Sequence, residues 1–397
     1  MNRRIKLCIV SPLFHPDLGG VGRQAVFLTN KLREKGLDLF VISRMMKNTP
    51  EFQPPLNIDI FYMPALMPHV HILEEKSFFN LWISLSFSLM LVFKLFRMRK
   101  KYNIVHFHGA SIPLIICLPL LKLLRKKVIA KVLASRLGTE AGSLKGKYLF
   151  VGNMLAWTLR STDKFIAISQ EIADGLKKNG IQPEKIKKIT NFADTEKFRP
   201  INSQERHILK TALSIDKDIV INFTGRIVER KGVDILVNAF AESMELMPSS
   251  ILIIVGAGPD EDKIKNMASK LGINNKIRFF GHSREVIKYY HAADIYVLPS
   301  YAEGMPNSLL EAMACGLPII ASKIGGVVDV IENGKDGILF EPGDISGLSS
   351  ALVRLSKDVG LRVRLGEEAR KKAVEGFSIE RVADEYIKIY ENMLIML

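Results

Sequence analysis

The sequence contains few cysteines. Only Cys8, Cys117 and Cys315 are present, and they lie far apart along the chain. This number and spacing exclude a disulfide-stabilised scaffold and favour a reducing compartment. No spacing among them resembles that of a zinc site. The hydrophobic fraction of 48% excludes a disordered chain, and 397 residues are enough for two domains, each with its own core.

Long apolar segments are also lacking. The apolar run from Leu7 to Val10 is shorter than the roughly 7–15 residues of a signal peptide. The uncharged segment 77–93 is shorter than the roughly 20 residues of a membrane-spanning helix, and Asn80 and several serines interrupt it. Basic residues follow this segment, and they also follow the apolar run 112–121. Two interpretations therefore stay open, buried core helices and helices that lie on an anionic membrane surface.

Positive charge is concentrated in the first half of the chain. The first 200 residues hold 32 Lys and Arg against 14 Asp and Glu, whereas the other 197 hold 24 against 27. A basic half attracts nucleic acid, an anionic membrane surface or an acidic substrate, unless it is simply a solvated surface. The basic residues follow apolar helices rather than exposed aromatics, which argues against nucleic acid. We expect a cytoplasmic protein bound peripherally to the inner face of the membrane.

Short apolar runs alternate with helical segments along the whole chain. Runs such as RIKLCIV and DIVINFTG are typical of strands buried on both faces, so the alternation predicts an α/β fold with parallel sheets. The apolar pattern lapses within residues 191–206, which predicts two doubly wound Rossmann-like domains, 1–195 and 196–378. Such sheets bind ligands at the carboxyl ends of their strands. We expect the domains to face a central cleft and to hold one substrate each.

Two glycine-containing loops are candidate anion sites. Gly19 and Gly20 lie between the first strand and a helix, where glycine permits close approach and a helix N-terminus favours anions. The loop lacks the G-x-G-x-x-G pattern of dinucleotide-binding proteins. In the second half, Arg226 and Lys231 follow a strand that ends at Gly225. An Arg fork with a Lys point charge suits a diphosphate, although two surface cations would give the same pattern.

Two carboxylates stand eight residues apart near the predicted helix 307–315. Glu303 lies in the loop before the helix and Glu311 lies within it, so the pair suits the hydroxyls of a polyol. The backbone N–H groups of Gly304 and Met305 would face the same ligand. The alternative is a capping acid and a helix-surface acid, but the apolar neighbours of Glu311 argue against a surface position.

Two histidines share one side of a predicted strand. His106 and His108 point the same way because side chains alternate along a strand. His106 fits a satisfied core histidine, whereas His108 lies at the carboxyl end, where a ligand would bind. No third ligand is evident nearby, so we expect no metal.

Together these motifs resemble those of the retaining glycosyltransferases of family 4, also called group 1. The E-x₇-E pattern from Glu303 to Glu311, the G-R-x₄-K-G pattern of residues 225–232, the Gly-Gly loop and the H-x-H strand carry the resemblance. It implies a GT-B fold, a C-terminal domain that binds a UDP- or GDP-linked sugar, and no metal or other cofactor. It also implies that a closing helix, 379–397, packs back on the first domain.

The resemblance implies a role for each candidate residue. Arg226 and Lys231 would hold the diphosphate, Glu311 the ribose hydroxyls, and Glu303 the donor hexose near its anomeric carbon. The remaining candidates would line the donor site, namely Gly19, Gly20, His108, Gly304 and Met305. The chain departs from the common pattern in two places, with NFAD at 191–194 where many members have NGVD, and with Asp329 where Glu is commoner.

The expected activity is transfer of a hexose from a nucleotide-sugar to a glycan or lipid-linked acceptor, in surface polysaccharide or glycolipid synthesis. Two alternatives remain. A sugar-nucleotide epimerase shares the architecture and needs no acceptor. A non-enzymatic protein that binds anions or a membrane surface would explain the charge but would leave Glu303 and Glu311 without a role.

Overall fold

The computed structural model describes residues 4–14, 20–45, 58–65, 78–133 and 159–395. The helices in these ranges are α1 (Gly20–Glu34), α2 (Phe78–Arg97), α3 (Ile112–Leu123), α4 (Gln170–Lys178), α5 (Ser203–Ala212), α6 (Val233–Ser243), α7 (Glu261–Lys270), α8 (Ile287–Ala292), α9 (Asn307–Ala314), α10 (Gly325–Val328), α11 (Ile345–Lys357), α12 (Val359–Phe377) and α13 (Ile379–Ile395).

The strands belong to two parallel sheets. The first sheet contains β1 (Lys6–Ser11), β2 (Asp38–Arg44), β3 (Ile60–Met63), β4 (Ile104–His108), β5 (Lys127–Val132), β6 (Lys164–Ala167) and β7 (Ile186–Lys188). The second contains β8 (Ile219–Thr224), β9 (Ser250–Val255), β10 (Ile277–Phe279), β11 (Ile295–Leu298), β12 (Ile319–Ser322) and β13 (Ile338–Phe340). Their orders are β3-β2-β1-β4-β5-β6-β7 and β10-β9-β8-β11-β12-β13.

Each sheet reverses its winding direction once. In the first sheet the chain moves outward from β1 to β3 and then returns to place β4 beside β1. In the second it moves from β8 to β10 and returns to place β11 beside β8. At such a reversal the loops at the carboxyl ends of the two central strands diverge and leave a ligand crevice. Both sheets therefore have a predefined binding edge.

The chain divides into two compact units. One comprises Met1–Thr190 with Ile379–Leu397, and the other comprises Asn191–Ser378. The second unit begins a few residues before the expected boundary at 195 because an isolated parallel bridge pairs Ala193 with Ser378. In the first unit α13 packs on α1, where Lys31 and Lys35 form ion pairs with Glu380 and Asp384.

Continuous apolar strands build the core of each unit. In β1 the residues Leu7–Val10 are fully buried, and in β8 Val220 to Phe223 are buried as well. Helix α6 contributes Leu236, Val237 and Phe240 to the core of the second unit. Since these strands are covered on both faces, their apolar runs do not alternate with polar residues.

Helix α2 has two different faces. Ile83, Phe87 and Leu91 are buried, and the opposite side leaves large apolar residues exposed. In the described ranges, none of the helices combines the length and the apolar character needed to cross a bilayer.

Candidate active site

The reversal between β8 and β11 brings two distant loops together. The loop after β8 carries Arg226 and Lys231, and the loop after β11 carries Glu303. A backbone hydrogen bond from Tyr301 N–H to the Arg230 carbonyl, 2.8 Å long, connects the two loops directly. The sheet topology thus explains why residues some 70 positions apart share one site.

A buried ion pair forms the centre of this site. The Lys231 Nζ donates to Glu303 Oε1 at 2.5 Å, and the two side chains are only 12% and 7% exposed. Ser300 Oγ donates to the same carboxylate oxygen at 2.8 Å. Removing a carboxylate and an ammonium from water is costly, and each group here offsets part of that cost for the other.

The backbone before α6 fixes Lys231 in place. Gly232 follows it with a φ of +63°, and a Cβ at this position would overlap the Pro299 carbonyl oxygen at the end of the other loop. Only glycine tolerates both the left-handed conformation and this close approach. The glycine of the G-R-x₄-K-G pattern therefore holds the two loops in contact.

The two arginines of the first loop are more accessible. Arg226 is exposed just beyond β8. Arg230 is half-exposed, and its Nη1 lies 3.8 Å from Glu303 Oε2. Positive charge is therefore concentrated around one buried carboxylate, with Lys231 in direct contact.

Glu311 lies on α9 and is buried. The Tyr290 hydroxyl of α8 donates to Glu311 Oε2 at 3.0 Å. Burial, together with the nearby carboxylate of Glu311, raises the pKa of Tyr290 well above its usual range, so the phenol keeps its proton and remains a donor. No sequence motif pointed to Tyr290, which precedes Glu311 by 21 residues.

The turn at Gly304 and Met305 is supported by residues from two other loops. A Cβ on Gly326, at the start of α10, would overlap the Gly304 carbonyl oxygen. Asn191 Nδ2 donates to the Met305 carbonyl at 3.0 Å and to Asn307 Oδ1 at 2.9 Å. Asn191 is the first residue of the NFAD segment. The asparagine at this position was the only sequence signal that could have indicated its support of the Gly304–Met305 turn.

In the first unit, both histidines of β4 are buried. His106 Nδ1 lies 2.7 Å from the Tyr390 hydroxyl of α13, whereas its buried Nε2 has no hydrogen-bond partner among the described residues. The expected core histidine is therefore satisfied at one ring nitrogen only. The His108 ring is 4.4 Å from that of His106, centroid to centroid. Burial, with His106 and Lys131 nearby, lowers the pKa of His108 well below its usual range. Gly20 begins α1, and Gly19 lies outside the described residues.

Lys131 is a further site candidate that motif spacing did not reveal. It occupies β5 directly opposite His108 and is 1% exposed. A lysine inside the apolar run VIAKVLA was the sequence signal. Across the described part of the chain, no group of three or more His, Cys, Asp and Glu side chains is arranged to hold a metal ion.

Family models cover most of the chain. The model for Glycosyltransferase Family 4 matches residues 18–197, and that for Glycosyl transferases group 1 matches residues 205–372. The chain belongs to this family of glycosyltransferases, and its two Rossmann-like units are those of the GT-B fold. The fold and family expected from the motifs are therefore confirmed.

Characterised relatives match over nearly their whole length. The N-acetyl-alpha-D-glucosaminyl L-malate synthase of Bacillus anthracis is 28% identical over 96% of this chain and 96% of its own. The UDP-Gal:alpha-D-GlcNAc-diphosphoundecaprenol alpha-1,3-galactosyltransferase of Escherichia coli is 26% identical over 99% of this chain and 98% of its own.

Solved structures share the fold. Anabaena HepE in complex with UDP superposes with a TM-score of 0.81 at 19% identity, covering 98% of this chain and 100% of that one. Sucrose-phosphate synthase from Thermosynechococcus elongatus gives 0.81 at 22% identity over 99% and 100% of the two chains.

Proposed function

We propose that this protein is a retaining hexosyltransferase that moves a sugar from a UDP- or GDP-linked donor to a glycan or lipid-linked acceptor, in surface polysaccharide or glycolipid synthesis. The observation that carries the proposal is the buried Lys231–Glu303 pair at the carboxyl edge of the second sheet. The E. coli relative's name specifies a UDP-linked donor and a diphosphoundecaprenol-linked acceptor, which supports the same classes of substrate here.

The chemistry follows from the charge that develops during transfer. Cleavage of the sugar–phosphate bond leaves positive charge on the ring and negative charge on the departing diphosphate. Lys231 and Arg226 would stabilise the diphosphate, which is the kind of electrostatic effect that usually contributes most to catalysis. Glu303, fixed beside Lys231, would accept hydrogen bonds from the hexose near its anomeric carbon.

The departing phosphate would itself take the acceptor's proton. The acceptor oxygen would then attack the face from which the phosphate leaves, so the anomeric configuration is retained. No protein general base is needed in this scheme, and the cations of the chain would take the role of a metal. Glu311, held by Tyr290, would bind the ribose hydroxyls, and His108 would line the sugar site.

Alanine substitutions at the ion pair test the proposal. Lys231→Ala and Glu303→Ala should each lower turnover at least about 100-fold, because each removes a charge that acts on the reacting centre. Lys323→Ala and Glu341→Ala are matched controls, since these residues form a solvent-exposed ion pair, 3.1 Å long, in the same unit. Near-normal turnover in either test variant would contradict the assignment.

The donor and the reaction type can be identified in the same experiments. A bound donor raises the melting temperature by mass action, so thermal shifts across UDP- and GDP-sugars select the donor. NMR of the products then gives the anomeric configuration. Conversion of the nucleotide-sugar to its epimer without an acceptor would indicate the alternative enzyme.

An anionic membrane surface is the proposed site of action. Helix α2 leaves Leu89 67% and Phe93 65% exposed, and Trp82, Met90 and Phe96 are exposed too. These residues recur at helical spacing on one side, and Lys94 and Arg97 occupy the last turn. An apolar face with a cationic end matches the chemistry of an anionic bilayer surface.

Vesicle co-sedimentation tests the proposed binding to an anionic membrane separately from the enzymatic activity. The wild type should pellet with phosphatidylglycerol-containing vesicles and not with pure phosphatidylcholine. A Leu89→Gln/Phe93→Gln variant should bind at least about tenfold more weakly, because two large apolar side chains lose their burial. Ile208→Gln, at a residue exposed on α5 of the other unit, should bind like the wild type. Equal binding to both kinds of vesicle would remove the membrane proposal.

A further inference from the structure

Lys131 is a buried cation at the edge of the first sheet. It is the next-to-last residue of β5 and is 1% exposed. Among the described residues no carboxylate is paired with its ammonium, and burial alone lowers its pKa to about 7. Lysines this deeply buried usually have an anionic partner, because removing the charge from water is costly.

The neighbours of Lys131 add hydrogen-bonding nitrogen groups to this edge. His108 is its direct partner in the β4–β5 register, and the His106 ring stacks behind that of His108. The Nε2 atoms of both histidines are buried, and neither has a hydrogen-bond partner among the described residues. His108 and Lys131 thus place two nitrogen groups that can donate hydrogen bonds at the carboxyl ends of adjacent strands, with His106 behind them. Such strand ends are where doubly wound sheets bind ligands.

None of the described residues gives this ammonium a structural role. Burial disfavours the charged form, and an unbranched apolar side chain such as methionine would occupy the same space without that cost. An anion from outside the chain would instead offset the desolvation and bind strongly, because a charge-assisted hydrogen bond gains strength away from water.

We propose that Lys131, together with His108, binds a carboxylate or phosphate group of a substrate at the carboxyl edge of the first sheet. This inference rests on the proposed glycosyl transfer and narrows its substrates to those with an anionic group. Two sources share this chemistry. The anion is either the C6 carboxylate of a uronic acid in the donor or a phosphate on the acceptor.

The experiment compares Lys131→Met with Lys127→Met. Lys127 lies on the same strand and the same side, four residues earlier at the opposite end, so its substitution removes an equal charge away from the site. Calorimetry measures the dissociation constants of matched pairs of compounds. The donor arm sets UDP-glucose against UDP-glucuronic acid, UDP-galactose against UDP-galacturonic acid, and GDP-mannose against GDP-mannuronic acid. The acceptor arm, run with UDP or GDP present, sets N-acetylglucosamine against its 1-phosphate.

In one arm, the wild type should bind the anionic compound at least tenfold more tightly than its neutral partner. Lys131→Met should lose this preference and still bind the neutral compound, whereas Lys127→Met should keep it. The arm that responds identifies the source of the anion.

Four outcomes would overturn the inference. Equal preferences in the wild type and Lys131→Met would show that the ammonium does not contact the ligand. A lower urea midpoint for Lys131→Met would show that a carboxylate of the chain holds the ammonium. Failure of the wild type to bind any of the nucleotide-sugars would overturn the proposed function and this inference together. Binding of the anionic and neutral compounds with equal affinity by the wild type would overturn this inference alone.

Discussion

Lys131→Met should make the first unit more stable, and the gain should depend on pH. The pKa of Lys131 falls from its ordinary value of 10.5 to about 7 in the folded protein, with burial as the cause. The folded state therefore holds the charged lysine at a cost that the unfolded chain does not have. Methionine removes this cost and keeps a side chain of similar length.

The magnitude follows from the linkage between proton binding and folding. A shift from 10.5 to about 7 corresponds to about 5 kcal/mol when the lysine is fully charged, and to about 4 kcal/mol at pH 7. Between pH 7 and 10.5 the unfolded state binds more protons than the folded state, so wild-type stability gains about 1.4 kcal/mol per pH unit from this residue. The difference in free energy of unfolding between Lys131→Met and the wild type should therefore decrease at that rate as the pH rises, and vanish near pH 10.5.

Other titratable groups should not distort this difference. Among the described residues, His106 and His108 on β4 interact electrostatically with Lys131, and Tyr386 and Tyr390 pack against His106 from α13. Burial keeps the pKa of each histidine far below 7 and raises that of each tyrosine, so none changes charge in the folded protein across this range. Their unfolded-state titrations are common to both proteins and cancel in the difference.

Urea unfolding followed by tryptophan fluorescence is the appropriate assay. Both tryptophans of the sequence, Trp82 and Trp157, belong to the first unit, so the signal reports on that unit alone. Lys127→Met serves as the control and should show no such pH dependence. If Lys131→Met is no more stable than the wild type at pH 7, or if its advantage is constant from pH 7 to 10, the account of a desolvated lysine is refuted.

Three further substitutions each test a contact within one of the two units. Tyr290→Phe removes the hydroxyl that donates to Glu311 and should weaken nucleotide-sugar binding about tenfold in calorimetry, with unchanged affinity as the contrary result. Gly326→Ala should lower kcat/KM at least about tenfold, because the added Cβ displaces the Gly304 carbonyl beside Glu303. Gly360→Ala is the control, since its Cβ would meet only the Asp358 side chain. Equal kcat/KM values for the two variants would contradict the role of Gly326. Tyr390→Phe removes the hydroxyl next to His106 and should lower the free energy of unfolding of the first unit by about 1 kcal/mol without changing donor affinity.

The fold was predictable because buried parallel strands have a strong local signal. The runs RIKLCIV and DIVINFTG correspond to strands β1 and β8, and the expected division into two doubly wound sheets was confirmed. The Lys231–Glu303 proximity followed from the topology, since both residues come after central strands of one sheet.

Residues that support the site from a distance could not be found this way. Asn191 reaches Met305 across 114 positions, and Gly326 meets the Gly304 carbonyl from a different loop. Neither contact leaves a periodic trace in the sequence, because it depends on the paths of loops rather than on strand or helix spacing. The burial of Lys131 depended likewise on which strands flank β5.

The two carboxylates of the E-x₇-E pattern occupy different electrostatic environments, and this difference divides their roles. Glu303 is paired with an ammonium whose hydrogen bonds a diphosphate can share, so its surroundings respond when charge develops on the donor. Glu311 accepts a hydrogen bond from a phenol fixed in the core, so its position is set before a ligand arrives. Binding energy from a rigid carboxylate acts equally on the ground and transition states, whereas an interaction that strengthens as charge develops acts on turnover. Changes around Glu311 should therefore appear in donor affinity, and changes at Glu303 in kcat.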